Sequence, residues 1–447
     1  MVFKNFETFL KFIGAVMFLT IIIPIAHNIL SINGLDCRLC LTLSNRLYVY
    51  AAGGFLLFLF SRKISEFLLN SKVMKPKIHF ERNIALDYLR MTAVLIMITH
   101  HLQLTLDLTS SNYGRLLNLM LSFAPVFFFT MVGITQHIFI NKNRMFKSLY
   151  LTYFFFAAAL INYSHILHLD FLMFIWAAIL IIQLLVYLKL SKLKLFFLVC
   201  LIFVLNIFFP IAHLLDRTLH ISHVQFLIIP WIIFPLIGFI VGMAPKRKYF
   251  FILGAIALVS VLVILFLALN HSYLPISKVD LSTGFILLGL CLVFFVYSFF
   301  ELFKIRLFYP VAEFFSAHLF EIAVLHFFCI SLIGAVVVQF DLTSKLNYLG
   351  LVGIFVFNIL FTALMIYFGM NLFRELQQRF VNFFKYYSLK FNLCILLVLA
   401  ILVPLIHRYL LLATPLMAYY CVLIMKYNIN NEISQLNTIL SKFKKSN

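Results

Sequence analysis

IALDYLRMTAVLIMITHH, residues 84–101, places Asp87, Arg90, His100 and His101 in a run that is otherwise apolar. Its length is close to the roughly 20 residues a helix needs to cross a bilayer. The rest of the chain decides between a buried helix of a soluble protein and a membrane span. Of the 447 residues, 64% are hydrophobic and only 11% are charged, against roughly 25% charged in soluble proteins. The 55 phenylalanines and a mean hydropathy of +1.07 exceed what an aqueous core could bury. Apolar runs of similar length recur from one end to the other. The expected fold class is therefore all-α, a polytopic integral membrane bundle of about 12–14 transmembrane helices. A soluble enzyme, a disordered chain, a coiled coil and a collagen-like chain are excluded on the same grounds.

Working outward, spans are expected at 9–30, 47–61, 84–103, 116–139, 148–163, 170–188, 195–212, 225–244, 249–269, 284–300, 314–339 and 350–372. Residues 391–425 are interrupted by Pro404, His407 and Arg408 and read as two short spans joined by an outer turn. Alternate connections carry 27 and 7 of the 35 lysines and arginines, with Arg90 left inside a span. The positive-inside rule then puts both termini in the cytoplasm. That bias accounts for the net charge of +20 without a polyanion, so no nucleic-acid partner is expected. The first apolar run is long and is followed by no small-residue cleavage site, which reads as a retained helix. Four regions follow: 1–83, an N-terminal helix pair and cytoplasmic loop; 84–340, a transmembrane core; 341–425, the C-terminal spans; and 426–447, a polar cytoplasmic tail.

Ionisable groups inside a span are costly unless paired or hydrated, so each is a candidate for function. Asp87 and Arg90 stand at i and i+3, where they can pair. Eleven residues separate Arg90 from His101, about three helical turns with a remainder near 20°, so the two share a face about 16 Å apart. His100 points roughly 80° away from it. One reading is an anion-recognising arginine and a histidine general base serving opposite membrane faces. The other is a structural Asp–Arg pair and an interfacial histidine. A second cluster, Glu313, His318, Glu321 and His326, lies in FYPVAEFFSAHLFEIAVLHFF, residues 308–328. There a carboxylate could orient an imidazole or reach Arg90 across the bundle. HILH (165–168) and HISH (220–223) have metal-compatible spacing but bring no third carboxylate ligand in helical register, and Cys37 and Cys40 form a lone CxxC. No metal is expected from these motifs.

Residues 84–101 also resemble the first signature of the transmembrane acyltransferases, the acyltransferase-3 family and its glucan-succinylating and heparan-glucosaminide-acetylating relatives. That signature is LDxLRG followed eleven positions after the arginine by histidine. SFAPVFFFTMVGI (122–134) is similar to a segment ending in FFxxSG, LIIPWIIFPLIGFIVG (227–242) to a PWxxxxxxG helix, and LFEIAVLHFF (319–328) to SxxxYxxH. The four stretches stand in the family's order and make 84–340 an acyltransferase-like core. Met91, Val132, Leu319 and Ala323 depart from the pattern, which points to a divergent substrate or to lost activity.

The resemblance implies transfer of an acyl group, commonly acetyl, from cytoplasmic acetyl-CoA to a hydroxyl or amine of an extracytoplasmic glycan, as in O-acetylation of cell-envelope polysaccharide. His101 would be catalytic and Arg90 would bind the acyl-CoA, with Asp87, His100, Glu321 and His326 in support. The implied partners are membrane lipids, acyl-CoA as a donor substrate and a carbohydrate acceptor, with no resident cofactor. The Phe-, Ile- and Lys-rich composition suits an AT-rich bacterial genome and a multi-pass protein of the cytoplasmic membrane. A secondary transporter, with Asp, Arg and His lining its path, is the alternative from another class. A lipid-linked sugar glycosyltransferase or flippase is a third.

Overall fold

The structure, a computed structural model, describes residues 83–106, 118–141, 169–208, 226, 228–243, 252, 254–260, 278, 281–303, 306, 308–340 and 348–379. The spans expected at 9–30, 47–61, 148–163 and 391–425, the polar tail, Cys37, Cys40, HILH and HISH lie outside the described residues. Among the described residues 90% are helical and none is in a strand, so the all-α class holds over them. The helices are α1 (Ile84–Thr105), α2 (Ala124–Asn141), α3 (Leu169–Tyr187), α4 (Lys192–Phe208), α5 (Ile228–Trp231), α6 (Ile233–Gly242), α7 (Thr283–Phe303), α8 (Tyr309–Ala317), α9 (Leu319–Gln339) and α10 (Tyr348–Arg379).

Among the described residues three stretches are long and apolar enough to cross a membrane: Asn118–Ile140, Thr283–Phe303 and Val352–Gly369. The exposed side chains of α4 and α10 include Phe196, Phe197, Leu201, Phe357, Leu360, Leu364 and Phe368. Stripes of that kind are incompatible with water and suit hydrocarbon. The protein is a helical membrane protein on these observations. Helix α1 is as long as a span, with 22 residues, but is more polar because of the side chains that form the site.

Local sequence sets where α1 begins. The Asn83 side-chain oxygen accepts the Leu86 N–H at 2.9 Å, an N-cap, and Asp87 lies in the first turn, where a negative charge complements the helix dipole. The Asn83 amide also lies 3.3 Å from the Tyr297 hydroxyl, and Tyr88 stacks on Phe300 with centroids 4.1 Å apart. The start of α1 thus meets the end of α7, and the two helices are antiparallel. A Cβ on Gly289 of α7 would crowd Phe123 and Val126, so α2 and α7 start together and are parallel. His101 meets His326, and a Cβ on Gly334 would crowd the Thr105 methyl, so α1 and α9 are parallel.

The tightest crossing is between α2 and α6. A Cβ on Gly133 would overlap the Pro235 carbonyl oxygen and the Phe239 nitrogen, and one on Gly238 would overlap the Thr130 carbonyl oxygen. The two backbones touch because neither helix has a side chain at the crossing, the small-residue packing that membrane helices use in place of a hydrophobic driving force. Gly133 and Gly238 are the closing glycines of the FFxxSG-like and PWxxxxxxG-like patterns within the second and third of the four stretches quoted above. Each is explained by the other. Phe129, a turn earlier, sits among Phe171, Phe174, Phe226 and Trp231, at centroid distances from 4.1 to 5.5 Å. Aromatic rings in edge-on and tilted contact fill this part of the core.

Two expected spans are not single helices. Residues 225–244 break at Ile229, whose backbone is extended (φ −103°, ψ 124°) immediately before Pro230. Proline disfavours helix in the preceding residue and brings no N–H of its own. The continuous helix α6 is ten residues, about 15 Å, half a hydrocarbon thickness. Residues 314–339 divide at His318 (φ −110°, ψ 24°) into α8 and α9. The first of these starts earlier than expected, at Tyr309, after Phe308 in the left-handed region (φ 59°) and with Pro310 in its opening turn. Hydropathy reads the continuity of apolar residues and is blind to such backbone interruptions.

Candidate functional site

The site is assembled where α1 faces α8 and α9, with α2 alongside. Asp87 is 2% exposed, and its carboxylate accepts hydrogen bonds from Ser316 Oγ at 2.5 Å and Tyr309 Oη at 3.2 Å. Arg90 Nη1 stands 3.6 Å from Asp87 Oδ1, closing the i, i+3 pair expected from the sequence. Arg90 also donates from Nη1 to Ser316 Oγ and from Nη2 to Thr135 Oγ1, both at 3.1 Å. The guanidinium is therefore held by α1, α2 and α8 together. Its planar fork of donors is what allows one residue to bind hydroxyls on two other helices. The Arg90 side chain is 23% exposed, so the charge is compensated without being sealed.

Farther along α1, the His101 ring lies against the His326 ring of α9, with centroids 5.3 Å apart and planes at 43°. His326 is 1% exposed, and its Nδ1 lies 2.9 Å from the Ile322 carbonyl oxygen. A carbonyl can only accept, so Nδ1 carries the proton and the ring's accepting lone pair is on Nε2. The tautomer is thus set by the turn of α9 on which the ring sits. His101 and Arg90 both face the 309–339 segment, Arg90 through Ser316 and His101 through His326. The eleven-residue spacing on α1 is matched by a ten-residue spacing on the opposing segment.

His100 is displaced from this line. Its Nδ1 is buried without a hydrogen-bond partner among the described residues, and the ring lies within electrostatic reach of Lys278. Its centroid is 5.7 Å from that of His101. Glu321, 1% exposed, stands 3.4 Å from His318 Nδ1, where its carboxylate orients the imidazole. That pair sits at the break between α8 and α9, with the Phe314 ring 4.9 Å from His318. Glu313, on α8, is partly buried.

Sequence reasoning passed over Tyr309, Ser316 and Thr135, the hydroxyls that hold Asp87 and Arg90. The available signal was weak: hydroxyl side chains inside apolar runs, which elsewhere merely bond back to their own helix, as Thr92 and Thr99 do to Tyr88 and Leu95. Lys278, counted only as a loop charge, was also passed over. Comparison with protein-family models, with curated proteins and with solved structures finds no match to this chain.

Proposed function

We propose that the protein is an integral-membrane acyltransferase that moves an acyl group, acetyl in the simplest case, from a cytoplasmic acyl-CoA to a hydroxyl or amine of an extracytoplasmic glycan. The observation that carries this reading is the meeting of His101 and His326. They come from the first and last of the four stretches that resemble the transmembrane acyltransferases, and they form a ring pair on the same helix face that presents Arg90.

The chemistry asks for a base near a thioester. The acceptor oxygen or nitrogen attacks the thioester carbonyl and a new C–O or C–N bond forms. The C–S bond breaks, the coenzyme A thiolate takes up a proton, and the acceptor's own proton passes to the base. A neutral His101 can take that proton. His326, its tautomer fixed through Ile322 and its ring against that of His101, keeps an accepting Nε2 that can steady the imidazolium that forms. Arg90, partly exposed and locked in place, suits the donor's negative groups at the end of α1 that the positive-inside rule puts toward the cytoplasm.

The test is reconstitution of the purified chain in liposomes with labelled acetyl-CoA and a panel of glycans. Label on a glycan from wild type and none from His101→Ala supports the proposal. Release of free acetate alone, or equal labelling by both proteins, overturns it. Uptake of a solute without covalent transfer would make the protein a transporter.

A further inference from the structure

Within electrostatic reach of His100, near the end of α1, stands a cation that topology does not account for. Lys278 is one of only seven basic residues assigned by sequence to the sparsely charged side. It is partly buried, and its ammonium lies 5.8 Å from the centroid of the Phe226 ring. Phe226 is itself buried, pressed edge-on against Trp231 at 4.9 Å and Phe129 at 5.3 Å, so it forms a fixed floor. Lys278 acts electrostatically on His100, the neighbour of His101. No carboxylate among the described residues pairs with it. Burial pulls its pKa down to about 8.

A lysine held on an aromatic face differs from one held by a carboxylate. Attraction to the ring places the ammonium without cancelling its charge or using its directional donors. All three N–H groups can then serve an incoming acceptor of hydrogen bonds. An anion arriving there would restore the charge balance that partial burial disturbs. A neutral sugar would not.

Building on the acyl-transfer reading, we propose that Lys278, seated on the Phe226 ring, is an anion-binding subsite that receives a phosphate or carboxylate carried by the acceptor glycan. The acceptor class is thereby an acidic or phosphorylated glycan, with the reacting hydroxyl or amine delivered to His101 while its charged group rests on Lys278. The donor belongs elsewhere, because Arg90 and the basic connections lie toward the other end of α1.

The site can be read independently of turnover. The full chain in phosphatidylcholine nanodiscs is treated at pH 8 with a water-soluble amine-acetylating ester, and modification of Lys278 is followed by mass spectrometry. Glucose, glucose 1-phosphate or glucuronate is added in separate arms, and Lys345 serves as reference. The expected result is at least threefold slower labelling of Lys278 with the anionic sugars, no slowing with glucose and no change at Lys345. Protection by both anions assigns a general anion subsite, by the phosphate alone a phosphorylated acceptor, and by glucuronate alone a uronate-bearing one. Absence of protection, or equal protection by glucose, overturns the proposal. Slowing produced by phosphatidylglycerol in place of phosphatidylcholine, with no further effect of sugars, gives the cation to a lipid headgroup and also overturns it. In the transfer assay, Lys278→Gln should lose the preference for anionic over neutral acceptors and Lys278→Arg should keep it. Protection of Lys278 without transfer by wild type to any acceptor leaves the anion site standing and removes the acyltransferase reading.

Discussion

His100 and His101 are adjacent in sequence and differ by one helical step, yet they meet different partners: Lys278 within charge range of one, the His326 ring against the other. If His101 is the base, its replacement removes a contribution that is typically on the order of 10²–10⁴-fold. His101→Ala is therefore expected to lower acetyl transfer by at least about 100-fold, while His100→Ala stays within about threefold of wild type. Initial rates at saturating donor decide between them; loss confined to His100→Ala would sink the assignment. The Asp87–Arg90 pair makes a separate prediction. Removing the carboxylate leaves a guanidinium beside two hydroxyls and no negative charge, and breaking a buried pair costs about 3–5 kcal/mol. Asp87→Ala should thus unfold at clearly lower temperature in detergent. Arg90→Lys should insert and fold but lose most activity, because an ammonium cannot bridge Ser316 and Thr135 in the planar geometry of the guanidinium. Wild-type turnover by the lysine variant would reduce Arg90 to a generic charge.

Among the helices, α2 and α6 depend on each other most directly, since their contact is backbone on backbone. A β-branched side chain at Gly133 has no space to enter: the atoms it would meet, the Pro235 carbonyl and the Phe239 nitrogen, belong to a helix that cannot shift locally. Gly133→Val is expected to exceed the roughly 1–3 kcal/mol of ordinary overpacking and to abolish accumulation of folded protein, read by monodispersity in detergent. Gly353 on α10 is the control, because an added Cβ would meet nothing within 4 Å. Gly353→Ala should raise the unfolding temperature slightly, in line with the gain of up to about 1 kcal/mol that alanine brings to a helix interior. Equal effects at the two glycines would contradict the crossing. The breaks in the two expected spans differ in how far the sequence marks them. Pro230 was visible in the sequence as a helix-breaking residue, whereas the division at His318 falls in a run with neither proline nor glycine to mark it.

For the whole molecule, the directions of α1, α2, α7 and α9 put the Asn83 and His101 ends of α1 on opposite sides of the bundle. Basic residues at the connections then predict which side is which. Single cysteines at Ser71 and Ser110, in an otherwise cysteine-free chain, should report it: an impermeant thiol reagent on intact cells is expected to label Ser110→Cys and not Ser71→Cys. The reverse pattern would place Lys278 and His101 in the cytoplasm and invert the proposed transfer.

Composition and spacing by themselves determined the solvent and the secondary structure, because a hydrocarbon surrounding demands long apolar helices and leaves few other backbone solutions. They also determined the Asp87–Arg90 pair and the shared face of Arg90 and His101, since both follow from the pitch of one helix. Only the tertiary structure decided that Ser316, Thr135 and Tyr309 hold that pair, that His326 comes to His101, that Gly133 fits against Gly238, and that Lys278 lies on Phe226. Each of those contacts joins different helices. Helical periodicity fixes the angle of a side chain about its own axis, but which neighbour that angle faces depends on how the helices pack, and packing is a property of all their surfaces at once.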